Sequence, residues 1–373
     1  MERFDVAVVG GGIAGASIAY ELAADRQVVL LEAEDRLAAH TTGRSAALWL
    51  PTYGPPVVRA LTRASRADFD RLAVELDTPP LLTPRTLLVV ATNDSDAARA
   101  GLDAWDAEPV EPGDVADLCP LLRPDRVVAA VTAQVSDIDV MALHAGYVRG
   151  LRRRGGDVRT AAPVTALVRT AMVRPDGASG GWRVTAGGAE LRVGTVVNAA
   201  GAWGDRLAAL AGVAPVGLRP LRRTLAVVPL EHHDTTGWPV VVDASERFYL
   251  KPEPGAVLVS PADETPDEPR DATVDPADVA RALEAASRVT TEPLRHVRSA
   301  WAGLRTFAPS GAPVVGPDPT RPELFWFVGQ GGYGIQLAPA LARLGAALLR
   351  GAPVPDDLLA EGVDPAALAP VAD

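Results

Sequence analysis

Three glycines near the start of the chain have the spacing that binding of a nucleotide pyrophosphate requires. Gly10, Gly12 and Gly15 directly follow a short β-branched apolar run. In this arrangement the first glycine makes a tight turn, the second lets a pyrophosphate approach the backbone, and the third lets a helix pack closely on a strand. The amides at the start of that helix then face the phosphates. The pattern therefore predicts dinucleotide binding.

Glu32 meets the second chemical requirement of such a site. It follows the glycines by about 20 residues, where a carboxylate accepts hydrogen bonds from both hydroxyls of an adenosine ribose. Its negative charge should repel a 2′-phosphate, so the residue disfavours NADP. The motif by itself leaves both FAD and NAD open.

These residues need a strand, a helix and a second strand to hold them, and the sequence predicts all three. Residues 6–9 are typical of a buried parallel strand, residues 16–24 of a helix, and residues 27–31 of a second strand. Two later segments, at 195–211 and 324–349, repeat the theme of an apolar strand, a turn of small residues and a helix. We therefore expect an α/β, Rossmann-type fold that returns to its ligand.

Between these segments the character of the chain changes. Residues 164–172 and 182–186 predict paired strands with a glycine-rich link. Successive antiparallel strands are predicted further on, at 225–228, 240–242, 248–251 and 256–260. Residues 261–276 are rich in proline and acidic side chains, so they predict a surface loop.

Composition narrows the class of protein. The chain has 373 residues, 48% of them hydrophobic, and a net charge of −11, which disfavours nucleic acid and anionic membranes as partners. It has no apolar run of membrane-spanning length, and its first predicted strand starts at about residue 4, which leaves no room for a signal peptide. We expect a cytoplasmic protein without a metal site, in which the single cysteine, Cys119, is a buried apolar residue.

Arginines beside apolar strands are the candidate anion ligands. Arg222, Arg223 and Arg305 lie on or next to predicted strands, as does Tyr249. A single arginine is usually a solvated or salt-bridged group, but Arg305 ends the stretch 301–305, whose other residues are of the buried type. A guanidinium fork can hold a carboxylate through two parallel hydrogen bonds.

With these stretches in hand, the chain resembles the D-amino-acid oxidase and glycine oxidase family of FAD enzymes, and within it the members that oxidise D-arginine. The resemblance covers nearly the whole chain. It rests on the glycine motif with Glu32 and on the segments 40–47, 198–203, 248–252, 301–305 and 329–336. It favours FAD over NAD and implies non-covalent FAD, while a histidyl link through His40 is the alternative.

The resemblance also implies the domain organisation. It predicts a discontinuous Rossmann-type FAD-binding domain, interleaved with an α+β substrate domain that has a mixed or antiparallel sheet. The FAD-binding domain would comprise residues 1–50, 140–215 and 300–373. The substrate-binding domain would comprise residues 51–139 and 216–299.

The family's cofactor-binding positions transfer onto this sequence one residue at a time. Small and hydroxylic residues at 40–47 suit a loop against a phosphate and a flat ring, and the helix start at 331–335 can stabilise negative charge on a bound ring. The residues expected to bind FAD are Gly10, Gly12, Ile13, Ala14, Gly15, Glu32, Ala33, Thr42, Gly43, Arg44, Ser45, Ala46, Val164, Gly201, Trp203, Gly331, Gly332, Tyr333, Gly334, Ile335 and Gln336.

The substrate clamp transfers in the same way. Arg222 and Arg305 match the arginines that bind the substrate carboxylate, and Tyr53 and Tyr249 match the accompanying hydroxyls. These four are the expected catalytic residues. Gly332 is expected to contact the substrate as well.

At two positions the chain departs from the D-arginine-oxidising members. Leu48 and Leu87 align with a histidine near the flavin and with a glutamate that holds the guanidinium. A cationic side chain beside two leucines would be desolvated and unpaired, at a cost of several kcal/mol. We therefore expect an apolar or aromatic side chain on the substrate, in a pocket closed by the apolar loop at 48–53.

The resemblance implies oxidative deamination, most simply of a D-amino acid. Hydride transfer from Cα to flavin N5 gives an imino acid, which water hydrolyses to a 2-oxo acid and ammonia. The alternatives are oxidation of a cyclic or N-substituted amine, such as proline, pipecolate or a sarcosine-like compound, and a role as the flavoprotein subunit of a larger dehydrogenase. The expected partners are the small-molecule substrate and an electron acceptor, which is oxygen, a quinone or another acceptor.

Overall fold

The structure is a computed structural model that describes residues 1–173 and 179–371. Part of the glycine-rich link expected before residue 182 lies outside these residues. In chain order the strands are β1 (Glu2–Val9), β2 (Val28–Leu31), β3 (Leu48–Trp49), β4 (Leu82–Ala91), β5 (Glu108–Val110), β6 (Ala129–Ile138), β7 (Asp157–Arg159), β8 (Val164–Val173), β9 (Ser179–Ala186), β10 (Ala189–Asn198), β11 (Arg219–Pro229), β12 (Val240–Asp243), β13 (Tyr249–Glu253), β14 (Ala256–Ser260), β15 (Thr265–Pro266), β16 (Ser299–Phe307), β17 (Val314–Pro317), β18 (Leu324–Val328) and β19 (Gln330–Gly331).

The α-helices are α1 (Ile13–Leu22), α2 (Pro56–Glu75), α3 (Asp96–Asp103), α4 (Val115–Leu118), α5 (Val140–Arg153), α6 (Gly204–Leu210), α7 (Pro276–Ser287), α8 (Gly334–Arg350) and α9 (Asp356–Ala360). Short 3-10 helices lie at Thr42–Arg44, Pro112–Asp114, Pro124–Arg126, Gly201–Trp203 and Pro365–Leu368. None of the helices in the described part of the chain is both long and apolar enough to cross a membrane.

β1 lies in the middle of the first sheet, as the glycine motif predicts. It pairs in parallel with β2 on one side and β10 on the other, and the described strands run in the order β17-β18-β10-β1-β2-β7, with β9 and β8 added beyond β10. The last four residues of β1 and all residues of β2 and β18 are buried, because both faces of the sheet are covered. Helices α1 and α8 pack on one face, and β8, β9 and α6 lie on the other.

The second sheet is mixed. Within residues 1–173 and 179–371 its strands run in the order β19-β16-β11-β14-β13-β12-β4-β6-β3, with β15 beside β11 and β5 beside β6. The pairing of β12 with β4 is parallel, whereas β11, β13, β14 and β16 pair antiparallel with their neighbours. The predicted α/β fold with a second, mixed sheet is confirmed.

Two local features differ from the sequence-based expectation. Helix α1 begins at Ile13, three residues before the predicted start, because Gly12 already has the extended backbone of an N-cap. β16 belongs to the second sheet through its pairing with β11, although the expected boundary at residue 300 assigns most of it to the FAD-binding segments. Cys119 is buried as predicted, and burial raises the pKa of its thiol to about 11.

Candidate functional site

A cavity of about 900 Å³ is lined by residues from both sheets. Its size falls in the range of small-molecule and cofactor sites. Val9, Leu31, Ala199 and Val328 lie on its wall, at or just beyond the carboxyl ends of β1, β2, β10 and β18. Ligands of open α/β sheets bind at this edge.

The glycine turn adopts a backbone that favours glycine. Gly10 has a φ of +113°, and it lies on the cavity wall with Gly12, Ile13 and Ala14. Gly15 does not line the cavity, which corrects its assignment as a direct cofactor contact. A Cβ at Gly15 would lie 1.8 Å from the carbonyl oxygen of Gly10, so this glycine lets α1 pack under the turn.

The carboxylate of Glu32 is held in a fixed orientation on the cavity wall. Its Oε2 accepts a hydrogen bond of 2.6 Å from the amide of Gly11, and its Oε1 accepts one of 3.0 Å from the amide of Glu34. Each oxygen keeps a further lone pair, so ribose hydroxyls can still be accepted. Ala33 lies beside Glu32 on the same wall.

His144 holds the glycine turn through a hydrogen bond to its backbone, and the sequence did not predict this role. Its Nε2 donates a 2.9 Å hydrogen bond to the carbonyl of Gly11. The residue belongs to α5 and is buried. Burial is the largest influence and lowers the pKa of His144, although Gly11 and Glu32 act in the opposite direction. The imidazole is therefore neutral near pH 7.

We expect this histidine to make stability dependent on pH. Because its pKa is lower in the folded than in the unfolded protein, the stabilisation is fully present above about pH 6.5 and is lost as the pH falls towards the folded pKa. His144→Gln keeps a donor and cannot titrate, so its melting temperature should fall less than that of the wild type between pH 7.5 and 5.5. Thermal denaturation at a series of pH values measures the difference, and equal slopes would contradict the assignment.

The loop at 40–47 lines the cavity and is also hydrogen-bonded to the second sheet. Arg44 donates hydrogen bonds to the carbonyl of Ala302 at 2.8 Å and to the carboxylate of Asp271 at 2.6 Å. Its guanidinium therefore serves partly to connect the loop with β16. Thr42, Arg44, Ser45 and Ala46, which are expected to bind FAD, lie on the cavity wall.

Gly43 is not on the cavity wall, which corrects its assignment as a cofactor contact. A Cβ at this position would lie 2.4 Å from the carbonyl oxygen of Ala38, so glycine is required by a close backbone approach within the loop. The hydroxyl of Thr42 accepts a 3.0 Å hydrogen bond from the amide of Ile13, which joins the loop to the start of α1.

The remaining predicted cofactor residues lie on the wall with one exception. Tyr333 does not line the cavity, because its ring packs against Tyr53 at 5.2 Å and Phe307 at 5.9 Å between centroids. Burial raises its pKa to about 12. The predicted residues from these segments that do line the cavity are Val164, Gly201, Trp203, Gly331, Gly332, Gly334, Ile335 and Gln336.

The fit of the cavity wall to a dinucleotide rests on its acidic and glycine positions, and several wall residues also hold unpaired polar atoms. Among the described residues, several cavity-lining side chains have a buried polar atom without a hydrogen bond: His40 Nδ1, Thr306 Oγ1, Gln330 Nε2 and Gln336 Nε2. These atoms have almost no accessible surface, so they could bond a ligand in the cavity only after a side-chain rearrangement. Glu32 and the glycine turn, which do line the cavity, fit a dinucleotide such as FAD. No group of three or more potential metal ligands occurs within residues 1–173 and 179–371.

Arg305 forms the anion-binding end of the cavity. Only 9% of the residue is exposed, and its Nη2 donates a 2.8 Å hydrogen bond to the hydroxyl of Tyr53. Its Nη1 lies 3.2 Å from Oε1 of Glu264. Burial alone lowers the pKa of Arg305, but Tyr53, Glu264 and Tyr249 together raise it, so the group stays cationic. Gly332 leaves room for this guanidinium, because a Cβ there would lie 1.6 Å from Nη2 of Arg305 and would displace it.

The second arginine of the predicted clamp, Arg222, lies outside the cavity. Arg222 points away from the cavity and pairs with Asp278 at 2.8 Å, with Asp263, Asp267 and Asp275 within 4.0 Å. Arg223 lines the cavity instead. Successive residues of a strand face opposite sides of the sheet, so only one of the two can reach the site.

Lys251 lies on the cavity wall beside Tyr249 and was not predicted. Both belong to the same face of β13, because they are two residues apart. Nζ of Lys251 lies 3.3 Å from Glu253 Oε1 and 3.4 Å from Asp137 Oδ1. One signal could have identified the residue, since it is the only lysine in the chain.

The apolar wall is formed by fewer of the predicted residues than expected. Leu48 and Leu50 line the cavity, whereas Trp49 turns away and donates a 2.9 Å hydrogen bond to the carbonyl of Thr62. Leu87 is fully buried behind the wall, packed in one cluster with Leu50, which corrects its assignment as a substrate contact. The apolar wall is completed by Trp105, Leu225, Val240, Val242 and Phe248.

Two further acidic side chains face the cavity, whose lining is otherwise mostly apolar. Glu246 and Glu264 both lie on its wall. Glu264 and Ala262 come from the segment predicted as a surface loop, part of which pairs as β15 with β11. No sequence pattern distinguishes these two glutamates from other surface acids.

Three comparisons place the chain among known proteins. A family model described as DAO, FAD dependent oxidoreductase, matches residues 5–348. The chain is 28% identical over 371 residues to glycine oxidase of Geobacillus kaustophilus, covering 93% of each protein. It is also 28% identical over 275 residues to rat mitochondrial dimethylglycine dehydrogenase, covering 70% of this chain and 31% of that protein, so it spans about a third of that relative.

Solved structures share the fold. Glycine oxidase from Geobacillus kaustophilus superposes with a TM-score of 0.79 at 22% identity, covering 95% of this chain and 96% of that one. The family match does not distinguish the D-arginine-oxidising members from the other members.

Proposed function

The chain belongs to the family of FAD-dependent oxidoreductases described as DAO, and from this we propose that it oxidises the carbon–nitrogen bond next to the carboxylate of a small amino acid or N-substituted amino acid. The observation that carries the proposal is Arg305, a nearly buried cation that faces the same cavity as the dinucleotide turn. A guanidinium in this position is suited to a carboxylate.

We propose that FAD is held by the glycine turn, Glu32, the loop at 42–46, Trp203 and the start of α8. When bound, FAD supplies the acceptor for the hydride that leaves the substrate. The residues of this chain bind and orient the substrate: Arg305, Tyr53 and Tyr249 hold its carboxylate, while the apolar wall excludes water from its other end. The domain division and the cytoplasmic location expected from the sequence remain part of this proposal.

For the substrate we favour a D-amino acid with an apolar or aromatic side chain. Leu48, Leu50, Trp105 and Val240 supply a wall that matches such a side chain. The second candidate is an N-substituted or cyclic amine, because the similarity to dimethylglycine dehydrogenase covers 70% of this chain.

Anaerobic mixing with a panel of substrates tests the proposal. The panel contains D- and L-amino acids, proline, pipecolate, sarcosine and dimethylglycine, and bleaching of the flavin absorbance is the readout. We expect D-leucine and D-phenylalanine to bleach the flavin faster than their L-enantiomers. Faster bleaching by secondary or tertiary amines would favour the second candidate, and no bleaching by any compound would favour a subunit of a larger dehydrogenase.

We expect FAD to be bound without a covalent link. His40 is the candidate for a tether, but its Nε2 is engaged by Glu34 at 2.9 Å and its ring packs on Trp203. Acid precipitation should therefore leave a colourless pellet and a yellow supernatant. Yellow colour in the pellet that is lost in His40→Ala would instead establish a histidyl link.

A further inference from the structure

Glu264 lies between two of the arginines that line the cavity, Arg223 and Arg305. Its Oε1 lies 3.2 Å from Nη1 of Arg305 and 3.4 Å from Nη2 of Arg223. All three side chains line the cavity. A carboxylate thus already lies where two cations converge.

This contact uses one arm of the guanidinium fork. Tyr53 bonds to Nη2 of Arg305, and Glu264 is next to Nη1. A ligand carboxylate that binds both Nη atoms needs the place of Glu264, because bidentate recognition requires two parallel hydrogen bonds. Only 11% of the Arg305 side chain is exposed, so water cannot replace Glu264 fully as its partner.

The backbone around Glu264 is fixed, whereas its side chain can leave. Asp263 accepts hydrogen bonds from the amide and hydroxyl of Thr224 at 2.7 and 3.0 Å, and Thr265 pairs with Arg222. The Glu264 side chain is 50% exposed. Rotation of one side chain into solvent therefore clears the position without opening of the segment.

We propose that Glu264 sets the carboxylate affinity of the site by acting as an internal competitor. In the free protein it neutralises and positions Arg305 and Arg223, and a ligand carboxylate takes its place. The inference rests on the proposed function, because it assumes that the ligand carries a carboxylate. Removal of the Glu264 charge should strengthen carboxylate binding, which is opposite to the effect of removing an ordinary contact residue.

Isothermal titration calorimetry of the FAD-loaded protein with benzoate and with acetate tests this sign. Neither probe has an amine, so neither is a substrate. For Glu264→Gln and Glu264→Ala we expect the Kd of both probes to fall by about three- to tenfold, since a half-exposed ion pair of modest strength is removed. Glu284→Gln removes the same charge from an exposed pair with Arg288 and should change the Kd by less than twofold.

The outcomes separate this inference from the proposed function. If the wild type binds the probes and both Glu264 variants bind them equally or more weakly, Glu264 is no competitor, while the carboxylate clamp remains. If neither the wild type nor the variants bind either probe, the clamp and this inference both fail. If the Kd falls as much in Glu284→Gln as in the Glu264 variants, the change in net charge explains the effect, and the inference is overturned.

Discussion

Arg305→Ala should raise the KM for every carboxylate substrate by about 30-fold or more, because truncation of one partner in a buried, hydrogen-bonded charge pair costs about 2–5 kcal/mol. The group that all these substrates share would lose its buried cation. Steady-state kinetics with the best compound of the substrate panel, together with the Kd for benzoate, measures the effect. FAD content should stay close to that of the wild type.

Arg222→Gln is the matched control for this prediction. Arg222 lies in β11, the strand that pairs with the strand of Arg305. Its side chain pairs with Asp278 outside the cavity. We expect the KM of this variant to remain within about twofold of the wild type, although its melting temperature should fall because several carboxylates lose their partner. A large KM effect at 222 and a small one at 305 would overturn our description of the clamp.

Gly15→Ala should abolish most of the FAD binding although it adds only one methyl group. The new Cβ would lie 1.8 Å from the carbonyl oxygen of Gly10, and a backbone atom cannot move aside as a flexible side chain can. Helix α1 would have to shift away from the turn, at a cost at the upper end of the 1–3 kcal/mol typical of overpacking. Flavin absorbance per protein after desalting and thermal denaturation measure both consequences.

Gly113→Ala provides the corresponding control. A Cβ at Gly113 meets no atom within 4 Å, and its φ lies outside the left-handed region. Its flavin content and melting temperature should match those of the wild type within experimental error. If Gly15→Ala behaves in the same way as Gly113→Ala, the close packing of α1 on the turn is not needed for FAD binding.

The glycine turn was predictable because its signal is local. Gly10, Gly12 and Glu32 lie within one strand–helix–strand unit, so spacing along the chain determines their positions in space. His144 supports the same turn from a position 133 residues away from Gly11. No periodicity within α5 reveals that contact, since it depends on how α5 packs on the first sheet.

The arginine clamp shows why strands with two covered faces are harder to interpret. Around Arg222 and Arg223 the burial of β11 does not alternate, so the sequence does not reveal which residue faces the cavity. Leu87 presents the same difficulty, because residues 87–91 of β4 are all buried. Glu264 was missed for another reason, since an acidic, proline-rich segment is typical of a surface loop until β15 pairs it with β11.

The order of the strands in the first sheet has a consequence for protein synthesis. Val6 of β1 pairs with Thr195 of β10, and Val197 of β10 pairs with Phe325 of β18. The ribosome therefore releases β1, α1 and β2 long before β10, β18 and α8 exist. The apolar surfaces of β1 and α1 that these later elements cover stay open until then. Such long-range pairing slows folding and leaves the nascent chain open to aggregation. General chaperones should therefore hold this chain until the strand containing Phe325 has emerged.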